Sequence, residues 1–274
     1  MKLKVLLDNC VDDNTGITES YFAEPGVSFY IEDEGTKILF DMGYSGIFLD
    51  NAKIMGLDLS DLDVITFSHG HDDHTGGIVR FNKEVKSDAK IVCHKGAFEK
   101  KISNNKSIGM PVMLKELEEQ YNVITSETPV KISKNITYLG EIPVTMNFEP
   151  RYEYRFREID SGKVIGDSML DDSALVYEGD NGIYIITGCS HSGICNIVEY
   201  AKKITGKQNV LGLIGGLHLF NPKEYKVKKT IEYFENEKIP EFYPSHCTSF
   251  EVRATMYNRC GGKSVLVGME LEWK

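Results

Sequence analysis

The sequence predicts an α/β protein, and three observations support that fold class. Segments with strand character alternate with segments of helical spacing along nearly the whole chain. Turn signals separate several of them, such as the Gly-Asp-Asn-Gly stretch at 179–182. All seven histidines lie at or just beyond the carboxyl end of a predicted strand. In open α/β architectures those strand ends form the crevice where ligands bind, so the same pattern predicts the place of a site.

Short runs of apolar and β-branched residues predict the strands, and the order along the chain follows from them. Strands are expected at 2–8, 27–32, 36–41, 64–67, 89–93, 121–125, 129–132, 135–139, 173–177, 183–187, 209–214, 241–243 and 264–267. Apolar residues three or four apart predict the helices, which are expected at 45–55, from about 78, and at 112–121, 194–204, 223–236 and 249–259.

One long segment, 140–172, has no clean period and is rich in arginine, glutamate and aromatic residues. We expect it to be a long loop that acts as a lid. The chain has no linker, low-complexity tract or short repeat, and its 274 residues are enough for a sizeable core. A single domain covering 1–274 is therefore predicted.

The amino-acid composition is that of a globular protein and disfavours some classes of partner. A hydrophobic content of 41% and a charged content of 26% are ordinary for a globular chain. The formal net charge of −10 argues against nucleic acid as a partner. The short apolar start soon meets Asp8, and no stretch approaches the ~18 apolar residues of a membrane helix, so a cytoplasmic location is expected. The six cysteines include no C-x-x-C pair, and most of them are expected to be buried thiols.

The densest chemical signal is a run of three histidines and two aspartates directly after the strand at 64–67. His69 and His71 are two residues apart, so their rings project from the same side of an extended segment. Asp73 and His74 stand where the chain turns into a helix and can face a second point nearby. Imidazole and carboxylate ligands suit zinc, iron or manganese. One or two divalent metal ions are therefore predicted, most simply zinc, about 3.5–4 Å apart if there are two.

These residues match the H-x-H-x-D-H motif of the metallo-β-lactamase superfamily, and the rest of the chain resembles that family too. The motifs that carry the resemblance are Ile38–Gly43, His69–His74, Thr187–Gly193, Gly215–Leu219 and Ser245–Thr248. The last three are similar to the branch that resembles dihydropterin–ribofuranosylaminobenzene phosphate synthase. The resemblance spans nearly the whole chain and implies a four-layer αβ/βα sandwich with the metals at one edge of the paired sheets.

The resemblance also implies a ligand set. His191 would complete the first metal site with His69 and His71, and His246 would complete the second with Asp73 and His74. Two aspartates, Asp41 and Asp72, would support these ligands from behind.

The chain departs from the family at one ligand position. Many members have a bridging aspartate after a strand, where this sequence has Gly188-Cys189. Cys189 is left with three roles: a bridging thiolate, a neighbour of the metals, or an inert thiol. Asp172 lies where other members carry a ligand and is the reserve candidate.

The predicted function is a metal-dependent hydrolase in which metal-bound hydroxide attacks an ester, a lactone or a phosphoester. His218, Asp73 or Asp172 would manage protons, although His218 is equally consistent with a supporting or core position. Histidine 94 follows a strand and is expected in the pocket wall.

A small, anionic, ring-containing substrate is predicted from the segment 140–172. Arginines stand there among flat rings, and a guanidinium binds phosphate or carboxylate in bidentate fashion. The predicted contacts are Arg151, Arg155, Arg157 and Tyr152, with Phe148, Tyr154 and Phe156 as neighbouring rings. The alternative is a solvated loop whose rings pack on the body of the protein.

Four other functions remain open at this point. The branch name implies a pterin-type transferase that displaces pyrophosphate at the same metals. A di-iron redox protein is disfavoured by His71 and by the lack of room for a flavin domain. A non-catalytic ligand-binding protein is disfavoured by the intact histidine set. An RNA-processing nuclease is disfavoured by the net charge of −10 and the lack of a basic stripe.

Overall fold

A computed structural model describes residues 1–11, 20–153, 155–159, 162–221 and 223–274. Tyr154, one of the rings in the arginine-rich segment, lies outside the described residues. Within the described ranges, no helix combines the length and the apolar character needed to cross a membrane.

The strands and helices are numbered along the chain. The strands are β1 (Lys2–Leu7), β2 (Ser28–Asp33), β3 (Thr36–Phe40), β4 (Val64–Thr66), β5 (Lys90–Cys93), β6 (Lys100–Ser103), β7 (Lys106–Ser107), β8 (Val123–Thr125), β9 (Val130–Lys131), β10 (Ile136–Tyr138), β11 (Arg155–Glu158), β12 (Val164–Asp167), β13 (Ala174–Glu178), β14 (Ile183–Thr187), β15 (Val210–Gly216), β16 (Glu241–Ser245) and β17 (Glu270–Glu272). The helices are α1 (Phe48–Ile54), α2 (Asp72–Thr75), α3 (Ile78–Glu84), α4 (Leu114–Glu118), α5 (Ile194–Thr205), α6 (Glu224–Glu237) and α7 (Phe250–Cys260).

The strands of the described residues form three sheets. The first has the order β17-β1-β2-β3-β4-β5-β8 and becomes parallel from β3 onward. The second has the order β16-β15-β14-β13-β10-β9, and its strands β14, β15 and β16 are parallel. The third is a small antiparallel sheet with the order β12-β11-β6-β7.

The apolar core shows how the two large sheets are layered. Phe29 and Phe40 of the first sheet belong to one buried cluster with Leu175 and Ile214 of the second, so the sheets face each other. A second cluster packs α1 and α3 on the outer face of the first sheet. A third packs α5, α6 and α7 on the outer face of the second. The order helix, sheet, sheet, helix confirms the predicted four-layer αβ/βα architecture.

Two local predictions were wrong. The segment 140–172 is not one continuous loop, because β11 and β12 form an antiparallel hairpin that pairs with β6 in the third sheet. Its exposed, charged residues hide the alternation that marks a strand. The last strand was expected at 264–267 but lies at Glu270–Glu272, paired with β1. Val265 and Val267 are buried in the core without forming a strand, so their alternating apolar pattern indicates burial and not strand pairing.

Candidate metal centre

Loops at the carboxyl ends of strands from both large sheets meet at one edge of the sandwich. The loop after β4 carries the residues His69 to His74, and α2 begins within it. The loops after β14, β15 and β16 carry His191, His218 and His246. The imidazoles that the sequence spreads over most of the chain therefore converge, and their side chains form overlapping groups with ligand atoms within 4.8 Å of one another.

We call His69, His71 and His191 the first group; His69 is grouped with His191 and Cys189 in one cluster of ligand atoms and with His71 and Asp73 in another. His69 Nε2 lies 3.1 Å from His71 Nδ1. The His191 ring centroid lies 4.8 Å from that of His69 and 4.9 Å from that of His71. Burial lowers the pKa of His71 to about 4 and the pKa values of His69 and His191 well below the usual range. Neutral imidazoles are the form that binds a metal.

The second group contains Asp73, His74, Cys189 and His246. His74 Nε2 lies 3.2 Å from His246 Nε2 and 3.1 Å from Cys189 Sγ. Asp73 Oδ2 lies 3.7 Å from His74 Nε2 and 3.4 Å from His246 Nε2. Burial works against the charge of His74, but Asp73 and Asp41 outweigh it and raise the pKa of His74 to about 9. Against the same burial, the two imidazoles hold the pKa of Asp73 well below its usual range.

The hydrogen bonds behind this group show that it fits a cation. His74 Nδ1 lies 2.7 Å from Asp41 Oδ2, and His246 Nδ1 lies 2.8 Å from Asn9 Oδ1. Both acceptors favour a proton on Nδ1, which leaves the two Nε2 lone pairs facing each other. Such an arrangement requires a positive charge between the rings, either a proton or a metal ion. In the first group, His71 Nε2 is buried with no hydrogen-bond partner among the described residues, as a ligand atom would be.

Asp41 and a second aspartate hold the histidine loop from behind. Asp41 accepts hydrogen bonds from the Ser68 backbone N and from Ser68 Oγ, both at 2.7 Å. Asp171 Oδ2 accepts from the Gly70 backbone N at 2.8 Å, and Asp171 Oδ1 accepts from Lys101 Nζ at 2.8 Å. Sequence reasoning found Asp41 through its motif but missed Asp171 and Lys101. Nothing local in the sequence distinguishes the buried Lys101 from a surface lysine.

Two more residues at the centre were missed. Asn9 contacts His246 from a loop near the start of the chain, and only the fold brings it there. Cys247 follows His246 directly and belongs to a group with Cys189 and His218, whereas the sequence predicts only a buried thiol at this position. Its position next to a candidate ligand was the signal available.

The structure corrects the expectation for Asp172 and locates Asp72. Asp172 is buried, and its Oδ2 accepts hydrogen bonds from the backbone N and Oγ of Ser192, so it positions the loop after β14. It belongs to none of the ligand groups found among the described residues. Asp72 lines the cavity at the start of α2, and partial burial raises its pKa.

A cavity of about 800 Å³ opens over the ligand groups. His71, Asp73, His191, His218 and His246 are part of its wall. Its other lining residues include two arginines and three exposed aromatic side chains: Arg155, Arg253, Tyr44, Phe220 and Phe250. Arg253 was not predicted, and its Nε is buried without a hydrogen-bond partner in the described part of the chain.

Most of the other predicted substrate contacts lie elsewhere. Arg151 donates to the backbone oxygens of Ile142, Ser168 and Met169, so its guanidinium is used within the fold. Arg157 is paired with Glu99.

His94 and Tyr152 also lie outside the main cavity. His94 lines a separate cavity of about 220 Å³ together with Arg157, and its Nδ1 accepts a hydrogen bond from the Gly96 backbone N. Tyr152 lies at the surface, with Lys223 Nζ 5.7 Å from its ring centroid. Of the substrate contacts predicted from 140–172 that the structure describes, only Arg155 lines the main cavity.

Known proteins match this chain in sequence and in structure. The sequence profile of the metallo-beta-lactamase superfamily matches residues 21–100. The Methanocaldococcus jannaschii protein MJ0448 is 34% identical over 256 residues, which cover 91% of each chain. The 7,8-dihydropterin-6-methyl-4-(beta-D-ribofuranosyl)-aminobenzene-5'-phosphate synthase of the same organism is 29% identical over 253 residues, covering 88% of this chain and 86% of the synthase.

Among solved structures, Tm1679, described as a metal-dependent hydrolase of the beta-lactamase superfamily, superimposes with a TM-score of 0.84 and 26% identity. The match covers 100% of this chain and 99% of Tm1679. Sequence motifs, layer order and whole-chain similarity agree, and the chain belongs to the metallo-β-lactamase superfamily.

Proposed function

We propose that the protein is a metal-dependent hydrolase that acts on a small anionic ester, lactone or phosphoester. The observation that carries this proposal is the meeting of two histidine-rich ligand groups on the wall of one large cavity. The similarity to Tm1679, described as a metal-dependent hydrolase, supports it.

The donor set determines which ions would be held. His69, His71 and His191 would hold one divalent cation, and Asp73, His74 and His246 would hold a second. Cys189 belongs to one ligand group with His69 and His191 and to another with His74 and His246, so its sulfur lies within reach of either ion without being required by either. Nitrogen and sulfur donors favour zinc, with iron and manganese as the alternatives. When bound, such ions lower the pKa of water toward about 7 and polarise a carbonyl or phosphoryl oxygen.

The two aspartates that line the cavity, Asp72 and Asp73, have different roles. Asp73 stays ionised at neutral pH because His74 and His246 lower its pKa against the effect of burial. It therefore acts as a ligand and a hydrogen-bond acceptor. Asp72 faces the same cavity with a raised pKa, so it is the better carrier of a proton. Asp172 accepts hydrogen bonds from Ser192 and does not line the cavity, so we assign the proton transfer to Asp72 and not to Asp172.

The rim of the cavity supports an anionic, ring-containing substrate. Arg155 and Arg253 bring positive charge to the cavity of a protein whose net charge is −10. The exposed rings of Tyr44, Phe220 and Phe250 offer flat apolar surfaces beside that charge. A guanidinium binds phosphate or carboxylate, and aromatic faces stack on a heterocycle.

A transferase that displaces pyrophosphate is the second candidate. The relative named as a dihydropterin–ribofuranosylaminobenzene phosphate synthase, at 29% identity over most of both chains, favours it. The same arginines would then bind the pyrophosphate group.

One assay separates the two candidates. Metal-loaded protein is given lactones, phosphodiesters and phosphorylated heterocycles, with and without an aromatic amine acceptor, and the products are identified by mass spectrometry. Hydrolysis products that form regardless of the acceptor identify the hydrolase. Condensed products that require the acceptor identify the transferase.

The metal requirement is tested on the same substrates. Removal of the metal, or the His71→Ala substitution, is expected to abolish turnover, whereas His94→Ala is expected to leave it intact because His94 lines another cavity. Full turnover in the metal-free protein or in the His71→Ala variant would contradict the proposal.

A further inference from the structure

Three neighbouring parallel strands each deliver a metal-binding side chain at the same offset. Cys189, His218 and Cys247 lie two residues beyond the ends of β14, β15 and β16. The ends of β15 and β16 are in register, with Gly216 opposite Ser245. Equal offsets from these two parallel strands bring His218 and Cys247 together at one edge of the sheet, while β14 is one residue out of that register, with Ile186 opposite Ile214. The middle strand supplies an imidazole, and its two neighbours supply thiols.

The contacts among these side chains are close. Their three ligand atoms lie within 4.8 Å of one another. The His218 backbone N donates to Cys247 Sγ at 3.2 Å, and Cys247 Sγ donates to the Cys189 backbone O at 3.3 Å. A Cβ at Gly216 would stand 2.6 Å from Cys247 Sγ, so only glycine lets this sulfur approach the middle strand.

His218 is held in an uncommon backbone conformation. Its φ of 48° lies in the left-handed region, which a side chain of this size seldom adopts. The His218 ring centroid lies 4.1 Å from that of His191. The fold thus fixes this imidazole between the first histidine group and the two sulfurs.

We propose that Cys189, His218 and Cys247 bind one thiophilic divalent cation, such as zinc, as a ligand group additional to the two histidine-rich groups. Around zinc, sulfur lies at about 2.3 Å and imidazole nitrogen at about 2.0–2.1 Å, so tetrahedral ligands are roughly 3.3–3.8 Å apart. The cation also compensates the charge of two neighbouring thiolates in a buried place. This ligand role replaces the proton transfer expected for His218, because a metal-bound ring nitrogen carries no proton.

Cobalt(II) makes the sulfur ligands visible. Reduced, metal-stripped protein is titrated with Co²⁺ while the near-ultraviolet sulfur-to-cobalt charge-transfer band and the visible d–d bands are recorded. Two thiolates contribute to the band of the unchanged protein, so Cys247→Ser and Cys189→Ser are each expected to lower its intensity to about half.

Cys260→Ser is the matched control and is expected to leave the band unchanged, because Cys260 Sγ donates to the Ile231 backbone O away from the centre. Cys247→Ser keeps a hydroxyl that can make both hydrogen bonds of the native thiol, so the fold is expected to survive.

The unchanged protein provides a second test without any substitution. Iodoacetamide labelling is followed by mass spectrometry before and after zinc is added. Zinc is expected to protect Cys247 and to leave the labelling of Cys10, which is half-buried like Cys247, unaltered.

The following results would overturn the proposed Cys189, His218 and Cys247 ligand group. Labelling of Cys247 that zinc does not slow, or a cobalt spectrum that Cys247→Ser does not change, overturns this ligand group. Visible d–d bands without a charge-transfer band overturn it and leave the proposed hydrolase intact. Protein that binds no cobalt at all overturns both.

Discussion

Asp41 fixes the orientation of the second ligand group with three hydrogen bonds. Its carboxylate accepts from the backbone N and Oγ of Ser68 and contacts His74 Nδ1. The Nδ1 contact leaves His74 Nε2 as the nitrogen that faces Cys189 and His246. Partners behind a metal ligand set its tautomer and its orientation, so their loss weakens the site without touching the metal.

We therefore predict that Asp41→Asn weakens zinc binding by about 10–100-fold. An amide has one acceptor oxygen and cannot replace the carboxylate toward three donors. Competition with a chromophoric chelator measures the dissociation constant. Asp180→Asn, in the exposed turn between β13 and β14, is the control and should bind zinc as the native protein does. Equal affinity in the Asp41→Asn variant would show that Asp41 does not orient the site.

Sequence motifs predict some residues of the candidate site and not others. The histidine run could be predicted because its candidate ligands are close in the chain and of an unusual type. Asn9 and Asp171 could not, since amides and carboxylates are common on every surface and only the fold brings these two to the ligands. The arginines of 140–172 led to a largely wrong prediction of the substrate contacts, although they are close together in the sequence. Their spacing in the sequence does not reveal which guanidinium groups are bonded within the fold. Arg151 donates to the Met169 backbone oxygen, and Arg157 is paired with Glu99.

Among the elements, β6 has an unusual role because it places a fully buried lysine behind the histidine loop. Lys101 Nζ lies 2.9 Å from Asp167 Oδ2 and 2.8 Å from Asp171 Oδ1. Asp171 in turn binds the Gly70 backbone N between His69 and His71. The third sheet therefore connects β12 and the metal loop through one buried ammonium.

We predict that Lys101→Met lowers the free energy of unfolding by about 3–5 kcal/mol, because two buried carboxylates lose their counter-charge. Urea denaturation measures the loss. The neighbouring Lys100 pairs with Glu158 at the surface, so Lys100→Met should cost less than about 1 kcal/mol. Similar losses in the two variants would mean that the buried ion pairs contribute no more than the exposed one.

The elements also show what patterning can and cannot reveal. Buried strands such as β14 were predicted with the bounds they have, because both faces are covered and the residues read as a continuous apolar run. The hairpin of β11 and β12 was missed, since its partner β6 lies some 50 residues earlier and its residues are largely exposed. Long-range pairing leaves no local periodicity in such a polar strand.

For the whole molecule, the histidines of the candidate metal centre contribute a dependence of stability on pH. His69, His71 and His191 have lowered pKa values in the folded protein. Below about pH 6.5 these histidines are protonated in the unfolded chain but remain neutral in the folded one. The free energy of unfolding therefore falls as the pH is lowered. His74 and His246 have raised pKa values. Their contribution is complete below about pH 6.5 and is lost as the pH rises toward the folded-state pKa, about 9 for His74.

Metal-stripped protein is therefore predicted to be most stable near about pH 6.5, with a decline on each side. Urea denaturation between pH 4.5 and 9 in the presence of chelator measures the curve. Added zinc should remove the alkaline decline, because the metal takes the place of the proton between His74 and His246. A stability that rises steadily to pH 9 without metal would contradict this assignment.

The global architecture followed from the sequence because its motifs are spaced along the whole chain and the family fold connects them. The single domain from 1 to 274 stays a prediction, and the shared core of Phe29, Phe40 and Ile214 between the two sheets supports it. The substrate stays a prediction as well, since it depends on a cavity rim assembled from distant segments such as Tyr44 and Phe250.

The central claim is that side chains from both sheets bind metal together, and the metal content of the protein tests it most directly. Protein purified without chelators and supplied with zinc is measured by plasma mass spectrometry. The native chain and a His94→Ala control are expected to retain divalent ions, whereas His71→Ala combined with His74→Ala is expected to lose most of them. A native protein that retains no divalent ion under these conditions would contradict the account.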